Sequence, residues 1–399
     1  MKAVILCAGK ATRTYPLTID RPKPLIRVAN RTLLEWHLEQ LQGLVDEAIL
    51  VVGFGKAMIK NLIGKKYGRL KVTYVEQKEP LGTGHALLQA EKAAGEQFLV
   101  MMGDTLYRRN DIGRCAKRFS LLCMKAENPS VFGVVEKKGS SLVRISEKPE
   151  RPSTNLVNCA LYHLGKDVFT LLKRLQKSER GETELTDAVT SFARDNAVRV
   201  IETRQCFMIT YPWDLLPLNE FLLAGVKRSV KGRAEKNVTL KGRISVGKGT
   251  LLRAGTYIEG PVVIGENCDI GPNCYIRKAT SIGDDCRIGN SVEIKNSIIM
   301  DGTSIGHHSY AGDSIIDENV NFGAGTKIAN LRHDNANVKS MVKGLLLDTR
   351  RRKFGSVIGR NVHLGINTSI YPGRKLWPNT STLPGEIVKY DKESGQGVA

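Results

Sequence analysis

Two stretches of this 399-residue chain concentrate side chains that can hold phosphate or move a proton. The first, LCAGKATRTYPLTIDRPKPL (6–25), directly follows an apolar run and carries Gly9, Arg13 and Lys23 in one loop. Backbone N–H groups and cations are the groups that hold phosphate oxygens. Further on, MMGDT (101–105) presents Asp104 just after another apolar run, a hard oxygen ligand of the kind Mg2+ accepts, although one carboxylate is a weak metal signal by itself. The second stretch, GHHSYAGDS (306–314), brings His307, His308 and Tyr310 together. Imidazole titrates near neutral pH and is the usual general base there, whereas a histidine taken alone is by default a solvated side chain.

These stretches lie in halves with different periods. Up to about residue 225, AVILCAG, EAILVVGF, LKVTYVEQ, EQFLVMMGD and SVFGVVEK read as strands, and TLLEWHLEQLQGL, GHALLQAEKAA and TELTDAVTSFARD as helices. That alternation predicts an α/β, Rossmann-like domain with a mostly parallel sheet, whose ligands bind beyond the carboxyl ends of the strands. A basic stretch, GVKRSVKGRAEKN (225–237), reads as a linker. From Leu240 every sixth residue is aliphatic through Ile294, and Gly follows it at 247, 265, 271, 283 and 289. A six-residue period predicts a triangular solenoid in which each hexad forms one strand and a corner, its aliphatic side chain filling the interior. The expected domains are therefore 1–224, a linker 225–237, and 238–399.

The repeat accounts for three of the eight cysteines, because Cys268, Cys274 and Cys286 occupy the small or β-branched position two before each aliphatic residue. With no CxxC pair, all eight read as reduced thiols. The register slips after Met300, which is in step, with Ile305 and Tyr310 five apart before sixes resume at Ile316; irregularity in a regular array is where function is expected. A polar insertion, about 333–353, interrupts the last hexads. At 18 residues per coil, Lys295 lies one coil above Arg277 on the same face, a pairing suited to a doubly charged phosphate.

Composition bounds the partners. The net charge of +20 is compatible with nucleotides and sugar phosphates as well as with surface solvation, and the absence of an aromatic-rich RNA motif or zinc finger argues against nucleic acid. No apolar run approaches the ~20 residues of a membrane span and no signal peptide is evident, so no membrane association and a cytoplasmic location are expected.

The first loop resembles the signature of sugar-1-phosphate nucleotidyltransferases, G-x-G-T-R closing in P-K-P, and further segments match that family in order. The resemblance implies Arg13, Lys23 and Asp104 as catalytic residues, with Asp104 as the Mg2+ ligand. It implies Ala8, Gly9, Gln77, Gly82 and Thr83, the last three from EQKEPLGTGHAL, as nucleotide contacts, and Glu147 and Asn158 as sugar contacts. Three positions depart from the pattern: Ala11 replaces the second glycine, Ser141 a glycine beside the sugar, and Met208 the second metal-binding Asp.

GHHSYAGDS, NFGAGT and IANL resemble the acetyltransferase half of the bifunctional N-acetylglucosamine-1-phosphate uridylyltransferase family, most closely its archaeal type. That implies a left-handed parallel β-helix, His307 as the base, Arg277, Lys295, Tyr310 and Asn330 as amino-sugar phosphate contacts, Ala324 as an acetyl-CoA contact, and a homotrimer assembled through the β-helix. Here too there are departures, Ala336 standing for a lysine and Ile366 for a small residue. The implied function is uridylyl or thymidylyl transfer from UTP or dTTP to a sugar 1-phosphate, with acetyl-CoA as co-substrate for N-acetylation of an amino-sugar 1-phosphate. The alternatives are an enzyme retaining only the acetyl transfer and a non-catalytic regulatory relative.

Overall fold

The computed structural model describes residues 1–178 and 181–393, so 394–399 of the expected second domain lie outside the described residues. Two compact units emerge. One comprises Met1–Lys10, Asp20–Leu25 and Thr32–Met208; the other comprises Ala11–Ile19, Ile26–Arg31 and the chain from Ile209 onward.

The first unit is built on a ten-stranded sheet. Its centre is parallel: Lys2–Cys7 lies between Glu47–Val52 and Gln97–Met102, and Leu70–Glu76 extends it on the far side of Glu47–Val52. These are the β-branched runs, and the three central ones are buried on both faces, as a parallel sheet under crossover helices requires, whereas Leu70–Glu76 is only partly buried. The sheet as a whole is mixed rather than mostly parallel. Leu156–Gly165 inserts antiparallel between Gln97–Met102 and Ser120–Lys125, and Gly133–Lys138 with Ser141–Glu147 forms a hairpin at one edge. The ten-residue strand Leu156–Gly165 has no alternation for a reader to catch, being buried nearly throughout. Helices fall where the 3.6-residue pattern puts them. Leu33–Leu41 opens with a reciprocal capping box, in which Glu35 N–H donates to Thr32 Oγ1 (3.2 Å) and Thr32 N–H to Glu35 Oε2 (2.8 Å).

In the second unit three parallel sheets of eight, seven and eight strands share the chain in rotation, so each turn visits all three. This is a parallel β-helix. Ile258, Ile276 and Ile294 pair one above another at 18-residue intervals and are fully buried, each burial contributing about 2–3 kcal/mol. Left-handed backbone recurs at the corners, taken by Asn at 267, 273, 319, 361 and 367 and by Gly at 249, 255, 302 and 325. The cysteines pack as the repeat predicts: Cys268 and Cys274 donate to the carbonyls of Gly283 (3.1 Å) and Gly289 (2.7 Å), on the coil above.

Three readings are corrected. The solenoid begins within the supposed linker, because Ser229–Val230 and Arg233–Ala234 pair with Ile244–Val246 and Leu251–Leu252. An end coil needs little hydrophobicity, having a neighbour on one side only. Residues 209–224, expected in the first domain, group with the second unit, where Asn219 of the helix Leu215–Ala224 bonds Ala29 N–H (3.0 Å) and the Ala279 carbonyl (2.9 Å). Finally, the interior residues of the shortened coils are Ile299 and Ala311, paired with Ile282 and Ile294, rather than Met300 and Tyr310. The five-residue steps are therefore Ile294 to Ile299 and Ala311 to Ile316, and Tyr310 faces outward. Met300 happened to be aliphatic and in step, which hid the slip.

Candidate active sites

In the first unit the ends of three parallel strands converge. Phe54 N–H bonds the Ala8 carbonyl (3.2 Å) and Gln77 N–H that of Val52 (2.9 Å). A Cβ on Gly53 would lie 2.9 Å from the Ala8 oxygen and 3.1 Å from that of Gln77, so this glycine lets the strand ends close up. Gly9 is open, with nothing within 4 Å of a built Cβ, leaving the loop backbone approachable.

Gln77 is buried and its Nε2 donates to the Gly82 carbonyl (3.1 Å) and meets His85 Nδ1 (3.0 Å). His85 is a positioning residue missed in the sequence, although it stands inside the GTGHAL segment. Gly82 adopts φ 101° and passes within 2.7 Å, at its Cβ position, of the Thr183 carbonyl, where any side chain would collide. Thr83 Oγ1 accepts from Leu185 N–H (3.4 Å), tying this turn to the start of helix Leu185–Asp195.

Lys23 and Asp104 meet, Nζ to Oδ2 at 2.8 Å, with the lysine side chain buried and the carboxylate 42% exposed. Phe207–Met208 pairs with Thr105–Leu106, setting Met208 opposite Thr105, next to Asp104. Met208 is partly buried and packs against the hydrophobic core of this unit. Asp214 Oδ2 accepts the N–H groups of Thr210 and Tyr211 (2.8 and 2.7 Å). Among the described residues no group of three His, Cys, Asp or Glu could hold a metal. One carboxylate plus phosphates and water is nevertheless a donor set that suits Mg2+.

Glu147 and Asn158 come together across Gly133, whose built Cβ lies 3.2 Å from Glu147 Oε2 and 3.6 Å from Asn158 Cβ. A bulge with Ala160 at φ 56° fixes Asn158, whose Oδ1 accepts Ala160 N–H (2.7 Å) while Nδ2 donates to Tyr162 Oη (2.6 Å). Ser141 is at the opposite end of strand Ser141–Glu147, about 20 Å from Glu147 at ~3.3 Å per residue. It is thus no neighbour of Glu147 and Asn158, and Gly133 is the glycine beside that pair.

Arg13 is exposed in the turn Thr12–Thr14, which belongs to the second unit. Ala11 before it takes φ 52°, ψ 48°, the conformation a glycine would accept freely. Its carbonyl accepts from the hydroxyls of Thr14 (2.8 Å) and Thr18 (2.9 Å), which hold the turn despite that cost.

The second constellation lies on the outer face of one β-helix sheet. Arg277 donates to Glu293 (3.0 Å) with its guanidinium 5.5 Å from the Tyr275 ring centre. One coil up, Lys295 Nζ is 3.1 Å from Asp313 Oδ2; Asn330 Nδ2 bonds both Asp313 Oδ2 (2.6 Å) and Tyr310 Oη (3.1 Å). Desolvation in this half-buried spot raises the Tyr310 pKa, with Asp313 adding to the effect. Gly312 leaves the room, since a Cβ there would stand 2.4 Å from Tyr310 Oη. His307 ends strand Ser304–His307 of the neighbouring sheet, exposed, around the corner from Tyr310. Ala324 sits one coil above, where Gly325 N–H bonds the His307 carbonyl (3.1 Å). The corner His308 has φ 45°. Asp313 and Gly312 were quoted in the sequence motif without a role.

Residues 2–208 match the nucleotidyl transferase family model and 258–383 that of the GMPPB C-terminal domain. A bifunctional sugar-1-phosphate nucleotidylyltransferase/acetyltransferase of Sulfurisphaera tokodaii is 40% identical over 406 residues, 99% of each chain. The bifunctional protein GlmU of Methanocaldococcus jannaschii is 39% identical over 99% of this chain and 96% of its own. Among solved structures, UDP-glucose pyrophosphorylase from Acinetobacter baumanii (23% identity, TM-score 0.50) covers 55% of this chain and 92% of its own. A putative glucose-1-phosphate thymidylyltransferase from Bacillus anthracis (23%, TM-score 0.51) covers 55% and 94%; both show the fold of the first part alone. With two groups of converging polar residues on two folds, and relatives of full length, this chain belongs to the bifunctional sugar-1-phosphate nucleotidylyltransferase/acetyltransferase family and is an enzyme with both activities.

Proposed function

We propose that the first unit transfers a uridylyl or thymidylyl group from UTP or dTTP to a sugar 1-phosphate, releasing pyrophosphate. The observation that carries the choice of base is the polarity of Gln77. Its Nε2 donates to the Gly82 carbonyl and faces His85 Nδ1, so in the tautomer whose Nδ1 accepts, both amide hydrogens are committed and Oε1 is the atom left for a ligand. An acceptor there suits the N3–H of uracil or thymine and disfavours cytosine, whose N3 is itself an acceptor. A sugar-phosphate oxygen attacks the α-phosphorus in line. Lys23 stabilises the charge that develops, backbone N–H groups at Ala8 and Gly9 hold the phosphates, Thr83 steadies the base-reading turn, and Glu147 with Asn158 holds the sugar. Asp104 would hold Mg2+, which supplies charge neutralisation to the phosphates when bound.

In the second unit, acetyl-CoA donates its acetyl group to an amino-sugar 1-phosphate. His307 takes the proton as nitrogen attacks the thioester, Arg277 and Lys295 bind the phosphate, Tyr310 and Asn330 hold the sugar phosphate, and Ala324 contacts acetyl-CoA. The β-helix is left-handed in this reading and assembles as a homotrimer; eight free thiols suit a reducing compartment, the cytoplasm. A nucleotide panel tests the base choice. Pyrophosphate release from UTP or dTTP should exceed that from CTP by at least about 100-fold, a margin expected when a buried polar group is left unpaired. Equal rates with CTP would refute the role of Gln77.

A further inference from the structure

The acetyl-transfer face contains a carboxylate that the reaction does not call for. Asp313 has a side chain only 4% exposed, and it accepts from three side chains: Lys295 Nζ and Asn330 Nδ2 at Oδ2, and Asn296 Nδ2 at Oδ1 (2.6 Å). It occupies a corner, at φ 52°, directly above Asn296 at φ 45°. These two corners are the shortened ones of the solenoid, where interior positions are five rather than six residues apart. At another corner the pair is asparagine on asparagine, where Asn361 donates to Asn379 (3.0 Å), while the corner carboxylate Asp285 is exposed, unlike Asp313. A stacking role alone would be met by asparagine; the charge is what needs explaining.

We infer that Asp313 is a positioning residue that sets the hydrogen-bond polarity of the acetyl-transfer site, an inference that rests on assigning that chemistry to His307 and its neighbours. A carboxylate only accepts, so it turns the amide hydrogens of Asn330 toward itself. Asn330 uses its second hydrogen on Tyr310 Oη, which commits Tyr310 as an acceptor on that side. Two consequences follow. The Tyr310 hydroxyl hydrogen is free to donate to substrate, and Asn330 Oδ1 is free to accept. The face then offers donors, from Lys295 and Tyr310, to a phosphate, and one acceptor to a sugar hydroxyl or amine. Buried chains of this kind behave as units, because reversing one member reverses the rest.

Asp313→Asn separates polarity from shape. In the ladder orientation, the introduced amide would accept from Asn296 through its oxygen and point its own N–H groups at Lys295 and Asn330. The Asn330 amide must then flip, and the Tyr310 hydrogen turns inward to it. Acetyl transfer, read as thiol release from acetyl-CoA with glucosamine 1-phosphate, should fall about 100-fold, the loss expected for one substrate-directed donor. Pyrophosphate release, measured well below the variant's unfolding temperature, should stay at the wild-type value. Tyr310→Phe should cost about 100-fold in the wild-type background but less than about twofold in Asp313→Asn, where that hydrogen is already withdrawn. Acetyl transfer within about twofold of wild type in Asp313→Asn, or an equal cost of Tyr310→Phe in both backgrounds, overturns the inference. His307→Ala is run beside them: retained acetyl transfer there overturns the site assignment itself, whereas loss there with an active Asp313→Asn overturns only the role of Asp313.

Discussion

Gly312→Ala offers a test of how tightly the acetyl-transfer face is packed. The added Cβ would lie 2.4 Å from Tyr310 Oη and 2.7 Å from Asn330 Nδ2, against 3.4 Å for the near edge of ordinary contact. Tyr310 must therefore withdraw by about 1.0 Å and Asn330 by about 0.7 Å. Both atoms are ends of side chains, and Gly312 is not at positive φ, so the backbone tolerates the methyl group and the cost to stability is about 1–3 kcal/mol. The site has no such slack. Displacing groups by about 1 Å costs about 100-fold in rate when their placement is catalytic. Thiol release from acetyl-CoA should fall by that factor while pyrophosphate release is unchanged, both measured on one preparation well below its unfolding temperature. Acetyl transfer within about threefold of wild type would refute the argument that Tyr310 and Asn330 act from the positions described.

Three further outcomes are expected. Ala11→Gly removes a left-handed alanine and should stabilise the protein by about 1 kcal/mol in denaturant unfolding. Met208→Asp sets a second carboxylate beside Asp104 and should lower the half-saturating Mg2+ concentration for pyrophosphate release about tenfold; no change would mean that one carboxylate already suffices. Lys375 is buried, donating to the Met341 carbonyl (2.6 Å), and desolvation lowers its pKa from 10.5 to about 8. The unfolded chain therefore holds a proton that the folded chain loses between about pH 8 and 10.5, so this lysine makes stability rise with pH across that window, by up to about 3 kcal/mol, with its penalty complete below it. Lys375→Met should flatten that part of the stability profile; an unchanged slope would contradict the burial argument.

Some parts of this molecule could be read from residues alone because a period constrained them. The six-residue rhythm requires an aliphatic side chain inside each hexad, and Leu252 through Ile294 are all interior as expected. It failed where the interior residue was small. Ala311 fills the space beside Ile294, while the larger Tyr310, outward-facing, looked like the repeat residue. The parallel strands were legible as β-branched runs, yet Leu156–Gly165 was not, since burial on both faces erases alternation. Among the motif residues, Lys23 meets Asp104, and Lys295 and Asn330 both reach Asp313. The residues that make room for them or orient them, Gly53, His85, Gly133, Gly312 and Asp313, act through contacts distant in sequence and left no spacing signal.

The account's central claim is that two independent sites act in one chain. Its most direct measurement is a paired turnover assay on wild type, His307→Ala and Lys23→Ala, following pyrophosphate release from UTP or dTTP with a sugar 1-phosphate and Mg2+, and thiol release from acetyl-CoA with an amino-sugar 1-phosphate. The account predicts that His307→Ala loses only thiol release and Lys23→Ala only pyrophosphate release, each by about 100-fold or more. Loss of both activities in either variant, or of neither, would contradict it.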